Sequence, residues 1–450
     1  MKAMIAAQRM YFATGVTKEV EFRRQSLKRL KAAMGRYEER INAALWEDLH
    51  KSAYESYLTE ISIVRQELDD QLSHVKRWAR PRRVATPIQL FGSKSRLVCE
   101  PLGVVLIMAP WNYPFQLLLT PLVGALAAGN CVVLKPSPST PCVAAVVAEL
   151  VASVFDPAYV TVVTGGREVN TALLAERFDS IFFTGSPELG RVVMRAAAEH
   201  LTPVTLELGG KSPCVVTREA DLALAARRIA WGKCLNAGQT CVAPDYLLVD
   251  WSVKEELLGK ISEQIFRFYG EHPVDSPDYP RIVNVEAFDR IRKLMGAGEV
   301  VAGGAMDRTK RYIAPTIIDG VHSYDPIMRE EIFGPLLPVI GFHSEEEVVE
   351  YINAREKPLA LYYFGTERGG RRMIACTSSG GVCVNDTVMH LANARLPFGG
   401  VGNSGMGRYH GYDSFLTFSN RRSVLYAATR WEIPLRYPPY RHFSWLKRML

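Results

Sequence analysis

At 450 residues, with 48% hydrophobic and 22% charged residues, the chain has a globular composition and is too long for one ordinary core, which predicts two or three domains. Its 54 Lys and Arg against 47 Asp and Glu leave a charge of +7, and the basic pairs at 23–24, 82–83, 227–228 and 421–422 are scattered, which argues against a nucleic-acid surface and for a phosphate-bearing small molecule. Eight cysteines at irregular spacings, with no CxxC pair or Cys/His cluster, point away from a disulfide framework or a metal site and towards a reducing, cytoplasmic location.

The first ten residues lack the pattern of a signal peptide. From Thr17 to Leu49 the apolar residues Leu27, Leu30, Met34, Tyr37, Ile41 and Leu45 step by threes and fours, which predicts an amphipathic helix. A second helix is predicted from Ser52, whose hydroxyl makes a capping box with Glu55, through Ile61, Val64, Leu68, Leu72, Val75 and Trp78. Neither helix carries recognisable chemistry, and both read as a layer against the next domain. Residues 80–83 stop the second helix, and 84–96 read as an extended excursion or hairpin that leaves the domain surface.

No charged residue occurs between Glu100 and Lys135, yet four prolines and Asn112 interrupt that stretch, so it predicts a buried strand, turn and helix rather than a membrane span. Short apolar runs at 104–108, 132–134, 160–163, 181–183 and 204–206 alternate with helical sequence. Such alternation implies a parallel sheet covered on both faces, with ligands at the carboxyl ends of its strands. Asn112, Lys135, Gly185, Ser186 and Glu207 all fall there.

A second α/β region runs from 210 to about 407, with strands predicted at 215–216, 246–249, 339–340 and 382–384, helices at 222–231, 253–269, 288–296 and 346–354, and surface loops at 272–281 and 297–304. Residues 423–428 form a lone strand that should pair with the 84–96 excursion of this or another subunit.

Six segments carry candidate chemistry. Cys241, in Gly-Gln-Thr-Cys-Val-Ala-Pro, lies in neither a periodic helix nor an alternating strand, and reads either as a presented nucleophile or as a loop filler. Glu207 between two leucines and Glu331 before Ile-Phe-Gly-Pro are acids that need a partner or a task if buried. Lys135 at a strand end suits ribose hydroxyls or phosphate, or is an ordinary solvated lysine. The turn at 183–191 suits a phosphate at a helix start but also fits a plain strand-to-helix turn. The run at 397–407, with five glycines, lacks the context of a phosphate loop and reads as a rigid bent segment near a site.

Taken together these segments resemble the aldehyde dehydrogenase superfamily, from about residue 10 to 440. The matching motifs are Pro-Trp-Asn-Tyr-Pro at 110–114, Lys-Pro-Ser at 135–137, Phe-Thr-Gly-Ser at 183–186, Leu-Glu-Leu-Gly-Gly-Lys at 206–211, Gly-Gln-Thr-Cys at 238–241, Glu-Ile-Phe-Gly-Pro at 331–335 and Pro-Phe-Gly-Gly at 397–400. The segments after the cysteine, at 401–407 and at 436–440 are similar to the class 3 branch of fatty and aromatic aldehyde dehydrogenases.

The resemblance implies an α/β fold with a Rossmann-like parallel-sheet dinucleotide domain (1–80 and 98–209), a catalytic domain (210–412), an oligomerisation arm (81–97 and 421–436) and a tail (437–450). It implies oxidation of medium- or long-chain aliphatic or aromatic aldehydes to carboxylic acids with NAD or NADP. In that scheme Cys241 is the nucleophile, Asn112 and the Cys241 N–H hold the oxyanion, and Glu207 is the general base for thioester hydrolysis. Trp111, Lys135, Gly185, Ser186, Gly190, Leu208, Glu331 and Phe333 are the implied cofactor residues, with Glu331 at the nicotinamide ribose and Lys135 at the adenosine ribose.

Tyr113, Leu391 and Phe398, with Tyr57 and Met389 beside them, are the expected apolar substrate tunnel, and Arg395 lies near it in sequence. Many NAD-preferring relatives carry an acid three residues beyond the lysine; Pro138 stands there, which implies use of NADP as well as NAD. A homodimer is expected, and the end at 445–450 is too short and basic to span a bilayer. The alternatives are a CoA-acylating dehydrogenase, against which Glu207 argues, and a catalytically silent structural or binding relative, against which Cys241, Glu207 and Asn112 argue.

Overall fold

The computed structural model describes residues 1–430, 436–440, 443, 444 and 447. The apolar runs of the first half become a six-stranded sheet in the order Gly405–Met406, Val204–Leu208, Ser180–Gly185, Val104–Met108, Cys131–Lys135, Val160–Val162. All its neighbours are parallel except the short first strand, which runs antiparallel with Gly405 opposite Glu207. Val104–Met108 is buried along its whole length, and full burial of each such aliphatic side chain contributes about 1.5–3 kcal/mol. The uncharged stretch after Glu100 is this central strand, a turn and the wholly buried helix Gln116–Ala128.

The second half builds a seven-stranded sheet in the order Glu299–Ala302, Thr316–Asp319, Leu336–Phe342, Tyr246–Asp250, Pro213–Val216, Ala360–Phe364, Gly381–Val384. It is parallel except for its first, edge strand. The third sheet is antiparallel and has three strands, Arg82–Val84, Lys94–Pro101 and Ser419–Tyr426. The lone C-terminal strand therefore pairs with the excursion of its own chain, Ser419 opposite Pro101 through Tyr426 opposite Lys94. Residues 431–435 of the expected arm, and most of the terminal 445–450 segment, lie outside the described residues. Among the described residues no helix is long and apolar enough to cross a membrane.

Four expectations need correction. A helix, Lys2–Ala13, precedes the first predicted one, which itself runs Val20–Leu49. The loop expected at 297–304 contains the edge strand Glu299–Ala302, whose exposed faces leave no alternation to read. The loop expected at 272–281 dives inward at its end, where Tyr279 and Arg281 are buried.

The second predicted helix is broken. Ala53–Ser56 is α-helical, Tyr57–Ile61 is one π-helical turn, and Ser62–Trp78 resumes the α-helix. Its capping box is half made: the Ser52 hydroxyl accepts from the Glu55 N–H, but the Glu55 carboxylate turns away to the middle of the chain. Such π turns occur often at functional sites.

Candidate active site

The helix Leu222–Cys234 ends in a short turn, Leu235–Gly238, in which Asn236 (φ 52°), Ala237 (φ 51°) and Gly238 (φ 74°) are all left-handed. That conformation costs roughly 1–2 kcal/mol for each non-glycine residue, so the turn persists only if its surroundings hold it. They do so from several sides. The Asn236 amide donates to the carbonyls of Asn112 (2.7 Å) and Gln239 (3.1 Å). The Gln239 side chain donates to the carbonyls of Asn236 and Arg281 and accepts from the Val283 N–H, which is why 279–283 is buried. Glycine is required at 238 because a Cβ there would lie 2.3 Å from the Gly334 carbonyl oxygen.

This turn delivers Cys241 half-buried, with its own N–H and that of Val242 beside the sulfur. Those two donors favour the thiolate, but burial first, and the carboxylates of Glu331 and Glu207 after it, push the thiol well above its usual range. The resting thiol is therefore protonated, and reaction requires a proton acceptor or added positive charge.

Glu207 sits at the carboxyl end of Val204–Leu208, only 2% exposed, and neither carboxylate oxygen has a hydrogen-bond partner among the described residues. Burial holds its carboxyl well above the ordinary range, with Arg408 opposing. Arg408 is fixed by the carbonyls of Gly400 and Gly407, so the glycine-rich segment serves to carry a strand onto Glu207 and a guanidinium near it. An ionised carboxylate so enclosed costs several kcal/mol, on the order of the penalty for any unpaired buried ion, which is the cause of that upward shift.

Asn112 follows the strand Val104–Met108 and is buried. Its Nδ2 donates one hydrogen to the Gln239 carbonyl at 3.0 Å, and an amide NH2 carries two. Its Oδ1 has no partner, while its backbone carbonyl accepts from Asn236 and from Lys51 at 3.3 Å. The side chain is thus positioned through the catalytic turn itself, with a donor left over.

A second set of polar groups comes from three strand ends of the six-stranded sheet. Lys135 is 2% exposed, yet its ammonium donates only to the Pro136 carbonyl, and burial lowers its pKa. The Thr184 hydroxyl is buried without a partner. Ser186 caps the helix Pro187–Ala198 by accepting from the Leu189 N–H, and Gly190 and Leu208 pack together so closely that a Cβ on Gly190 would lie 2.8 Å from Leu208. A buried cation without an anion, an orphan hydroxyl and a helix N-terminus suit a phosphate-ribose group.

Glu331 and Phe333 come from the facing half of the chain. A Cβ on Gly209 would lie 1.9 Å from Glu331 Oε2, so that glycine makes room for the acid. The loop is tied down by Lys211, which donates to the carbonyls of Ile327 (2.8 Å) and Glu330 (3.0 Å) and pairs with Asp245, which in turn accepts from the Ile332 N–H. Phe333 has φ 49° and meets Trp111 edge to face at 5.2 Å, bridging the two halves.

Of the expected substrate residues, Phe398 is buried in an aromatic cluster with His390, Tyr409 and His410, and Leu391 is partly buried. Tyr57, Met389 and Arg395 are exposed. Tyr113 lies behind the catalytic turn, its hydroxyl 2.6 Å from the Thr240 hydroxyl and its ring 4.3 Å from the Lys51 ammonium.

The N-terminal helices, expected to carry no chemistry, supply what sequence reasoning missed. Lys51 and Glu60 form an ion pair at 2.7 Å with both side chains 0% exposed, Glu60 also accepts from the N–H groups of Phe115 and Gln116, and Glu55 accepts from the Asn236 N–H at 2.8 Å. The one local signal was Glu55, which could be read only as a cap.

The aldehyde dehydrogenase family model matches residues 1–424. The chain is 47% identical over 441 residues to the 4,4'-diaponeurosporen-aldehyde dehydrogenase of Staphylococcus aureus, covering 97% of this chain and 96% of that one. It is 48% identical to the dimeric NADP-preferring aldehyde dehydrogenase of Rattus norvegicus, covering 95% of each. A solved structure of the substrate-bound state of Staphylococcus aureus AldH superposes with a TM-score of 0.97 at 46% identity, covering 100% of this chain and 99% of that one.

Proposed function

The chain belongs to the aldehyde dehydrogenase family, in its class 3 branch, and from that premise we propose that Cys241, Glu207 and Asn112 carry out its oxidation of aldehydes to carboxylic acids. The observation that carries this assignment is that the unpartnered buried acid Glu207 bears electrostatically on the half-buried Cys241 thiol, while the Asn112 amide is bonded to Gln239 two residues before it. The Cys241 thiol gives its proton to solvent water as its sulfur adds to the aldehyde carbon, and the carbonyl oxygen takes the electron pair as an oxyanion. The free Asn112 N–H and the Cys241 N–H donate to that oxygen. When bound, NAD or NADP supplies the acceptor for the hydride that leaves this carbon. The sulfur is left in a thioester, Glu207 takes a proton from the water that attacks it, and the carbon–sulfur bond breaks to release the acid.

Removing the Asn112 donor should lower kcat by about 10²–10³-fold in Asn112→Ala with little change in cofactor KM, measured by steady-state formation of the reduced nicotinamide. Fixed cofactor KM matters, because Asn112 also touches the catalytic turn.

We assign the six-stranded half (1–80 and 98–209) to the dinucleotide, with Lys135, Gly185 and Ser186 at its ribose and phosphates, and 210–412 to catalysis, with Glu331 and Phe333 at the nicotinamide end. Leu391 and Phe398 remain our choice for the aldehyde's apolar path; Tyr113 we reassign to support of the catalytic turn. The substrate class is medium- to long-chain aliphatic or aromatic aldehydes, in keeping with an apolar path and a relative named as a 4,4'-diaponeurosporen-aldehyde dehydrogenase.

Pro138 leaves no acid to repel a 2′-phosphate. The ratio of kcat/KM for NAD and NADP should therefore lie within about a thousandfold, roughly 4 kcal/mol; a larger preference for NAD in paired steady-state assays removes this part of the reading. A cytoplasmic homodimer built on the three-stranded arm completes the proposal, supported by unpaired cysteines and by a relative named as dimeric.

A further inference from the structure

We propose that Glu55 is a positioning residue for the catalytic turn: its carboxylate, reaching from the N-terminal helix layer across 181 residues of sequence, holds the Asn236 N–H and thereby the left-handed run that aims Cys241. The inference rests on the assignment of Cys241 as the nucleophile.

Asn236 and Ala237 are non-glycine residues in a conformation that the backbone disfavours. The other contacts of the turn come from Asn112, Gln239, Arg281 and Val283, through the Asn236 and Gln239 side chains and, from the Asn112 amide, through the Gln239 main-chain carbonyl. The Asn236 main-chain N–H, at the first left-handed residue, is held at 2.8 Å by Glu55 Oε1. Without that acceptor a buried N–H would have no partner, and the cheapest relief is to unwind the turn.

The setting is built for this carboxylate. Glu55 is buried, and the Ser52 cap fixes the helix start that carries it. The π turn Tyr57–Ile61 then places Glu60 on Lys51, whose ammonium reaches the Asn112 carbonyl. One helical segment thus contacts both the turn and the oxyanion residue. Burial pushes the Glu55 carboxyl up to about 7, with Lys51 the strongest opposing influence, and a carboxyl oxygen can accept the Asn236 N–H in either protonation state. Position, not charge, is what the turn requires.

Two conservative changes, one isosteric and one shortened, separate those possibilities. Glu55→Gln keeps an oxygen at the same reach and removes the charge; Glu55→Asp keeps the charge and draws the oxygen back by one methylene. The expected result is a kcat for Glu55→Gln within about threefold of wild type and a loss of about tenfold to a hundredfold for Glu55→Asp, with KM for cofactor little changed in both. The rate of Cys241 alkylation by iodoacetamide should shift in Glu55→Asp and not in Glu55→Gln.

Near-wild-type turnover in Glu55→Asp, or an equal fall in both variants, overturns the proposal. If Glu55→Asp does not fold, amide exchange decides: a slowly exchanging Asn236 N–H is expected in wild type and in Glu55→Gln, and fast exchange in wild type refutes it. Alkylated wild type that stays active would instead count against Cys241 itself, and is seen before any variant is compared.

Discussion

Cys241→Ala loses aldehyde oxidation by at least about 10⁴-fold while binding NADP as wild type does, because every covalent step runs through the one sulfur. The size of the effect follows from the absence of a substitute. Losing a donor or a base leaves the covalent route open at a lower rate, whereas alanine leaves no atom to attack the carbonyl. The fold should tolerate the change. Cys241 is half-buried at the end of a turn held by the side chains of Asn236 and Gln239, none of which bonds to its sulfur. Cofactor titration and thermal unfolding therefore act as controls, and a variant that binds cofactor yet keeps more than about a hundredth of wild-type turnover would place the nucleophile elsewhere.

Glu207→Gln separates the two halves of the reaction. Acylation and hydride loss do not need the carboxylate as proposed, so the first turnover should survive as a burst of about one reduced nicotinamide per site, while steady-state turnover falls by about 10²–10⁴-fold. The pH dependence carries the same signature. Burial raises the Glu207 pKa, so the basic form appears only as pH rises above the ordinary carboxylate range, and hydrolysis-limited turnover should climb with pH in wild type. The glutamine variant should lose that rise.

Stability moves in the opposite sense. A carboxyl whose folded pKa exceeds its unfolded one favours folding most below the unfolded value, near pH 4, and that advantage is lost as pH rises through the folded value. Glu207→Gln should then unfold at a higher temperature than wild type at alkaline pH and at a similar one in acid. A burst abolished together with steady-state turnover would mean that Glu207 acts before hydrolysis.

The parts of this architecture that a sequence displays are those whose physics is local. The run 104–108 is a buried parallel strand because five consecutive apolar residues can hardly be anything else between a glycine and a proline turn, and it is found at Val104–Met108. Glu207, Asn112 and Lys135 could be singled out because they stand at the ends of such runs, but each also had an ordinary reading until the motifs were taken together. Seven motifs in order then made the family recognisable.

What escaped depends on contacts distant in sequence. Glu55 has the spacing of a capping box, and nothing nearby says that its carboxylate prefers Asn236. Glu60 on a predicted helix and Lys51 between two of them are ordinary charges until a π turn, invisible to a 3.6-residue period, brings Glu60 onto Lys51 in the interior. The edge strand Glu299–Ala302 shows no alternation because both of its faces meet water.

The central claim is that the aldehyde carbon becomes a thioester on Cys241 that Glu207 is needed to hydrolyse. Its most direct test is intact and peptide mass spectrometry of Glu207→Gln quenched after mixing with NADP and an aromatic aldehyde. The account predicts an increase equal to one acyl group, found on the peptide containing Cys241 and absent without NADP; an unmodified Cys241, or an acyl group on another residue, would contradict it.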